Sequence, residues 1–347
     1  MARAIIPGEA KGPVIACDEG LSFWGGVDPD TGRIIDTHHP QAGLSVAGAV
    51  VVMPTSRGSC SGSGVLLELA LAGKAPAAFV FREAEDILTL GAMIATRMFD
   101  VPIPVIRANA REYDAIAGSA LGQIGAEAIT LDEGVVALDQ KEGASIDLSP
   151  RDRAMLDGQE GAPVRLAMET LVAMAEAQGA RRLIDVSRGH IDGCILAHSA
   201  NLRFAEVMRD RGARVVIPTT INAISVDMER WRADGVPQDF GDQARRLAQA
   251  YVDIGAKPTF TCAPYLAEDR PTEGEAIGWS ESNAVIFANS VLGARTVKHP
   301  DYLDLFIAMT GRAPEAGVYL DAERQARMII EVDLPEGADD AIWPMIG

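Results

Sequence analysis

From residue 164 onward one pattern recurs: a helical segment, a glycine, a short apolar run, then a polar loop. Residues 164–178 carry Val164, Met168, Leu171 and Ala175 on one helical face and end at Gly179, as a capped amphipathic helix would. Residues 182–186 read as a strand, 200–211 as a helix closed by Gly212, and 214–217 as a strand. Residues 242–254 then read as a helix closed by Gly255, 259–261 as a strand and 281–290 as a helix. Strands and helices in alternation predict a parallel α/β sheet, and such sheets take their ligands at the carboxyl ends of the strands.

That rule singles out four loops. They are 187–194 with Gly193 and Cys194, 218–223 with Asn222, 262–265 opening on Cys262, and 278–283 with Glu281 and Ser282. A solvated helix-start carboxylate would explain Glu281 equally well, and a turn residue would explain Asn222. Cys262 stands at a strand end before a proline, with no helix to bury it, which makes it a better ligand candidate than Cys17. A lone thiol nevertheless has no ligand spacing. The four cysteines (Cys17, Cys60, Cys194, Cys262) contain no C-x-x-C pair, and each reads as a small buried apolar group in a reducing compartment. His38 and His39 are adjacent and point different ways, so a shared metal ion is not their natural reading.

The first half is richer in strands. Residues 14–17 and 75–81 read as strands, 33–36 as an extended run, and 128–131 with 135–138 as a hairpin around Gly134. Pro102 and Pro104 place the strand-like segment 101–106 at a sheet edge. Residues 84–98 read as a helix. Ser149, Pro150 and Asp152 form a helix start. The boundary is placed at 143–149, giving a compact β/α domain over 1–147 and a second domain over 148–347.

Between the apolar run 46–53 and the helix 65–71 lies the loop 53–64, with three glycines, four serines and Arg57. Its backbone N–H groups and the helix N-terminus suit an anion or a developing negative charge, and Arg57 suits a carboxylate. An ordinary polar strand-to-helix turn is the other reading.

A chain of 347 residues, 48% apolar, suits two domains with a sizeable core. A formal charge of −18 argues against nucleic acid as partner, because phosphate binding needs concentrated Lys and Arg. No apolar run approaches the roughly 18–20 residues of a membrane span, and the N-terminus lacks the apolar centre of an export signal. A cytoplasmic protein without membrane contact is expected.

The loops taken together resemble the aconitase X family. Residues 21–29 and 58–63 are similar to its small swivelling domain; 192–194, 218–222, 261–265, 279–285 and 288–296 are similar to the start of its large catalytic domain. The resemblance runs through nearly the whole chain in the order of the fused bacterial members. It implies a hydro-lyase that dehydrates cis-3-hydroxy-L-proline to 1-pyrroline-2-carboxylate. The family's two-chain archaeal members imply an alternative, another hydroxy acid such as phosphomevalonate. It further implies an iron–sulfur cluster, 2Fe–2S, or mononuclear iron acting as Lewis acid on the leaving hydroxyl, with Cys262 as ligand. Ser63 would be the general base, with Ser59 and Arg57 beside it and a helix N-terminus lowering its pKa. Gly193, Cys194, Asn222, Glu281 and Ser282 would line a pocket for a small hydroxy or imino acid. Fused members run past residue 347 with further cysteine ligands, so the resemblance implies either a C-terminally truncated version or a partner, the missing C-terminal segment as a separate chain. A non-catalytic piece that binds only ligand or partner is the remaining alternative. Catalysis requires Ser63 and Cys262 to face one cleft.

Overall fold

The computed structural model describes residues 1–139, 146–326, 328–334 and 337. The first part is a barrel with three helices against it. Its elements are β1 (Ala2–Ile6), β2 (Ala10–Ala16), β3 (Val50–Met53), α1 (Gly62–Leu71), β4 (Ala78–Phe81), α2 (Ile87–Phe99), β5 (Val105–Arg107), α3 (Ala110–Ala117), β6 (Leu121–Ile124), β7 (Ala128–Leu131) and β8 (Val135–Asp139). The strands close in the order β1-β5-β4-β3-β2-β6-β7-β8, with β2 to β5 parallel and β6 to β8 antiparallel.

Strand periodicity explains why β3 and β4 are apolar throughout. Side chains alternate between two faces: Val51, Met53, Phe79 and Phe81 join the core under α1 and α2, while Val50, Val52, Ala78 and Val80 fill the barrel with Ile129 and Leu138. The expected hairpin is present, with Ile129 opposite Val136 and a left-handed Gly134 in its turn. The segment 101–106 differs from its expected edge position. Its ladder starts at Val105, after both prolines, and β5 lies between β1 and β4 because a closed barrel leaves no edge. The extended run 33–36 makes only isolated bridges. Part of the expected 143–149 boundary lies outside the described residues.

The second part contains α4 (Pro150–Leu156), α5 (Ala162–Gln178), β9 (Leu183–Asp185), β10 (Gly189–Ile191), α6 (Ser199–Asp210), β11 (Thr219–Ile221), α7 (Gln238–Ile254), β12 (Gly278–Trp279), α8 (Ser282–Ser290), α9 (Leu303–Thr310) and β13 (Arg312–Pro314). Ser149 and Asp152 form a reciprocal capping box on α4. Left-handed Gly179 and Gly255 close α5 and α7.

The parallel sheet exists, but its strands sit a few residues from the expected ones. Its order is β11-β10-β12, whereas β9 pairs antiparallel with β13. Residues 214–217 form no strand; Pro218 has no N–H to donate, and the ladder begins after it. At 259–261 a side chain interrupts the ladder: Thr259 Oγ1 accepts from Ile221 N at 3.0 Å and donates to Ile221 O at 2.8 Å, leaving one backbone bond, from Thr261 N to Ile221 O at 3.2 Å.

The two parts are joined by specific contacts. Glu68 on α1 accepts from Ala200 N at 2.6 Å and from Ser199 Oγ at 2.9 Å, so the barrel domain caps α6 of its neighbour. Arg97 on α2 donates to Thr170 on α5 at 3.2 Å. No helix among the described residues is long and apolar enough to cross a membrane.

Candidate functional site

The parallel strands β10, β11 and β12 deliver Asp192, Asn222 and Glu281 just past their carboxyl ends. Opposite them stands the loop between β3 and α1. Ser63, in the first turn of α1, donates its hydroxyl to Cys60 O at 2.9 Å and to Asp301 O at 3.3 Å, which fixes that loop against the segment before α9. Between the two walls is a cavity of about 180 Å³. Trp24, Ser59, Cys60 and Ser61 line it from the barrel domain, and Asp192, Asn201, Glu281, Ser282 and Asp301 from the second domain.

Asp192 is the centre of the polar network. Its Oδ2 accepts from the Cys60 thiol at 3.0 Å, and its Oδ1 accepts from Asn222 Nδ2. Asn222 Nδ2 also donates to Glu281 Oε2 at 2.7 Å, and Asp192 N donates to Asp304 Oδ2 at 2.8 Å. The carboxyl groups are crowded, and none of the lining residues is Arg or Lys. Burial, and then the charge of Asp192, pushes the Glu281 carboxyl up. Burial, with Asp192 and Asp304 adding to it, pushes Asp301 far above the usual carboxylate range. Asp304, also raised chiefly by burial, reaches about 7. Burial, Asp301 and Asp192 likewise hold the Cys60 thiol protonated, consistent with its role as donor.

The residues singled out from sequence divide into two groups. Ser59, Glu281 and Ser282 line the cavity, and Asn222 bonds two of its acids. Gly193 follows Asp192 directly, and its carbonyl accepts from Tyr251 Oη at 3.4 Å. Cys194 is buried, with its thiol on Asn222 O at 3.3 Å, so it ties two loops together and does not face the cavity. Arg57 points outward to Glu19 and Asp36, each at 3.1 Å. Ser63 is fully buried. Cys262 is exposed, and its carbonyl accepts from Asn283 Nδ2 at 3.1 Å, which holds its loop beside the first turn of α8.

Sequence reasoning passed over Asp192, Cys60, Asn201, Asp301 and Asp304 as site residues. Asp192 and Cys60 lay inside motifs already noted. Asp301 and Asp304 lay beyond the alternating pattern, and their only signal was two acids flanking an otherwise apolar helix start.

The Cys60 sulfur and one carboxylate oxygen each of Asp192 and Asp301 lie within 4.8 Å of one another. One thiol and two carboxylates suit a single ion. A cluster held by several thiolates is not assembled among the described residues, since Cys17, Cys194 and Cys262 belong to no such group.

Fold and site together define a two-domain α/β protein in which a barrel carries a Ser/Cys loop onto the strand ends of its neighbour. Residues 1–133 match the aconitase X swivel domain and residues 145–322 the aconitase X first domain. The chain belongs to the aconitase X family.

It is 48% identical over 357 residues to a cis-3-hydroxy-L-proline dehydratase of Hypocrea jecorina, covering 99% of this chain and 60% of that protein. The same identity holds over 352 residues to the Pseudomonas aeruginosa dehydratase of that name, again covering 99% and 60%. The holo-form crystal structure of Thermococcus kodakaraensis aconitase X gives a TM-score of 0.48 at 32% identity, covering 52% of this chain and 45% of that one. The chain spans about three-fifths of the length of the curated relatives it matches.

Proposed function

We propose that this chain supplies the swivel and first domains of a dehydratase that acts on cis-3-hydroxy-L-proline. The observation that carries the reading is the cavity itself, where the serine loop of one domain meets the strand-end acids of the other. Its small volume and acid-rich wall suit a small imino acid better than a phosphate ester, which would need paired cations.

The reaction removes a proton from C2 and the hydroxyl from C3. The C2–H electron pair forms the C2–C3 double bond as the C3–O bond breaks, water departs, and the enamine product tautomerises to 1-pyrroline-2-carboxylate. Ser63 is proposed as the base. To act it must exchange its bond to Cys60 O for the substrate, and the α1 N-terminus would stabilise the resulting alkoxide. Ser59 and Ser61 already face the cavity and would orient the substrate. Glu281, its carboxyl raised by burial, is proposed to protonate the departing hydroxide. Asn222 would hold Glu281 in place through its 2.7 Å bond. An iron ion, when bound, would supply Lewis-acid withdrawal at that hydroxyl, and Cys60, Asp192 and Asp301 are the residues suited to hold it. Cys262 keeps a cluster-ligand role only in company with thiols outside this set.

The test is an anaerobic assay of the chain, reconstituted with iron and sulfide, in which the cyclic imine is trapped with an aromatic amino-aldehyde. Imine from cis-3-hydroxy-L-proline and no product from phosphomevalonate is the expected result. No imine, under conditions where a relative of full length produces it, overturns the reading for this chain.

A further inference from the structure

We propose that Trp24 is the specificity residue for the ring ammonium of the substrate, its indole face taking the pyrrolidinium of a cyclic imino acid against the acids of the other wall. The inference rests on the reading of the cavity as a site for such an acid. It assigns the choice of a charged ring to one side chain of the barrel domain, which the dehydration chemistry above does not use.

Trp24 lies in the long loop between β2 and β3. Its apolar neighbours there pack inward: Leu21, Phe23 and Val27 are at most 2% exposed. Trp24 itself is 41% exposed, so it adds little to that core. Among the described residues it is the one aromatic group lining the cavity. Aromatic side chains with a few placed polar groups are the usual walls of small-molecule sites.

The loop holds the indole ready. Ser22 Oγ donates to Trp24 O at 2.8 Å and Val27 N to Phe23 O at 3.2 Å. Arg57 N donates to Leu21 O at 3.4 Å, which ties this loop to the serine loop after β3. His198, just before α6 in the second domain, stands at 62° to the indole with ring centroids 6.1 Å apart. Burial holds that imidazole below its ordinary range, so no positive charge competes beside the indole. A side chain fixed before its ligand arrives loses little freedom on binding.

Two features select the same ligand. A lining with three acids and no Arg or Lys favours a cation. A tryptophan face attracts a cation more strongly than other aromatic rings do, and it packs well against apolar ring atoms. The cavity, at about 180 Å³, is so small that a ligand paired with the acids also touches the indole. A secondary ammonium within a five-membered ring uses both features, whereas an acyclic hydroxy acid without a cation uses neither.

Isothermal titration of the 347-residue chain tests this with two unreactive probes. L-proline has the ring ammonium and no hydroxyl to lose; (S)-tetrahydrofuran-2-carboxylate has an ether oxygen in place of the ammonium. Trp24→Leu keeps apolar bulk without a π face. It should weaken L-proline about 5-fold or more and the ether analogue by less than about twofold, as for loss of a cation–π contact. Trp24→Phe should fall between Trp24→Leu and the parent. If the ether analogue binds the parent too weakly to titrate, that order of affinities for L-proline decides. Melting of each variant establishes that it is folded, and if Trp24→Leu is not, Trp24→Phe decides. Where imine forms, Trp24→Leu should raise KM for cis-3-hydroxy-L-proline more than it lowers kcat. No binding of L-proline to the parent, unchanged L-proline affinity in the variants, or equal losses for both probes overturns the inference. Any of these beside imine production leaves the dehydration reading standing. The expected losses without imine overturn that reading and leave Trp24 its role.

Discussion

The Cys60 thiol reaches across the domain boundary to Asp192 Oδ2 at 3.0 Å, while Asn222 holds the other oxygen of the same carboxylate. One side chain therefore connects the barrel loop, the β11 end and, through Asn222, Glu281 on the far wall.

Asp192→Asn preserves that shape and removes the charge. Dehydration is expected to fall by about 10²-fold or more, as for loss of a positioned acid–base network. The melting temperature should fall, because the amide has one acceptor oxygen where the carboxylate has two, so its NH2 must face either the Cys60 thiol or Asn222 Nδ2, both of which are donors. Turnover of cis-3-hydroxy-L-proline and calorimetry check both parts, and activity within twofold of the parent would place Asp192 outside the machinery.

Ser63 and Ser61 separate holding a loop from doing chemistry. Ser63→Ala loses the hydroxyl that bonds Cys60 O and Asp301 O, at a cost of about 1 kcal/mol. If Ser63 is also the base, kcat falls about 10²-fold beyond what that loss explains, and Ser61→Ala costs far less. A rate loss in Ser63→Ala that disappears when the assay is cooled well below its melting temperature would leave Ser63 a loop anchor only.

Much of this was legible in the sequence because the relevant physics is local. The helices announced themselves by spacing and glycine caps, as at Gly179 and Gly255. The strand-end rule led to Asn222 and Glu281 even though the exact strands were displaced. The displacement has local causes that apolar patterning does not register, namely the missing N–H of Pro218 and the Thr259 hydroxyl interrupting the ladder at Ile221. What was not legible was long-range. Cys60 and Asp192 are 132 residues apart, and nothing in either loop shows that they meet. Arg57 misled for the opposite reason: its position beside the serines suggested a ligand, while its neighbours in space, Glu19 and Asp36, draw it outward.

The second domain rests on an ion pair far from the cavity. Asp152 is fully buried, and Arg312 meets it with a two-pronged contact at 2.8 and 3.0 Å while also donating to Leu183 O at 2.8 Å. Arg312→Met removes both prongs and leaves the buried Asp152 carboxylate, in the first turn of α4, with only its capping-box bond from Ser149 N; the expected cost is about 3–5 kcal/mol. Urea unfolding measures this directly; a cost under about 1 kcal/mol would mean that water reaches the site and screens the carboxylate.

Glu275 gives the fold a calculable response to acid. Burial works against its charge, but Ser187 Oγ at 2.5 Å, Thr272 N at 2.8 Å and Arg188 Nε at 2.7 Å overcome it and lower the carboxyl from 4.5 to about 2. Between those values the unfolded chain binds the proton and the folded one does not. The stabilisation is therefore complete above about pH 4.5 and drains away as pH falls towards 2. Solvent screening at this partly exposed position reduces its size to about 1 kcal/mol. Glu275→Gln should be less stable than the parent by about that amount at neutral pH. In urea titrations run from neutral pH down to the lowest pH at which both proteins remain folded, the gap should narrow below about pH 4.5. A gap that stays constant or widens on acidification would show that the Glu275 carboxylate is not selectively stabilised in the folded state.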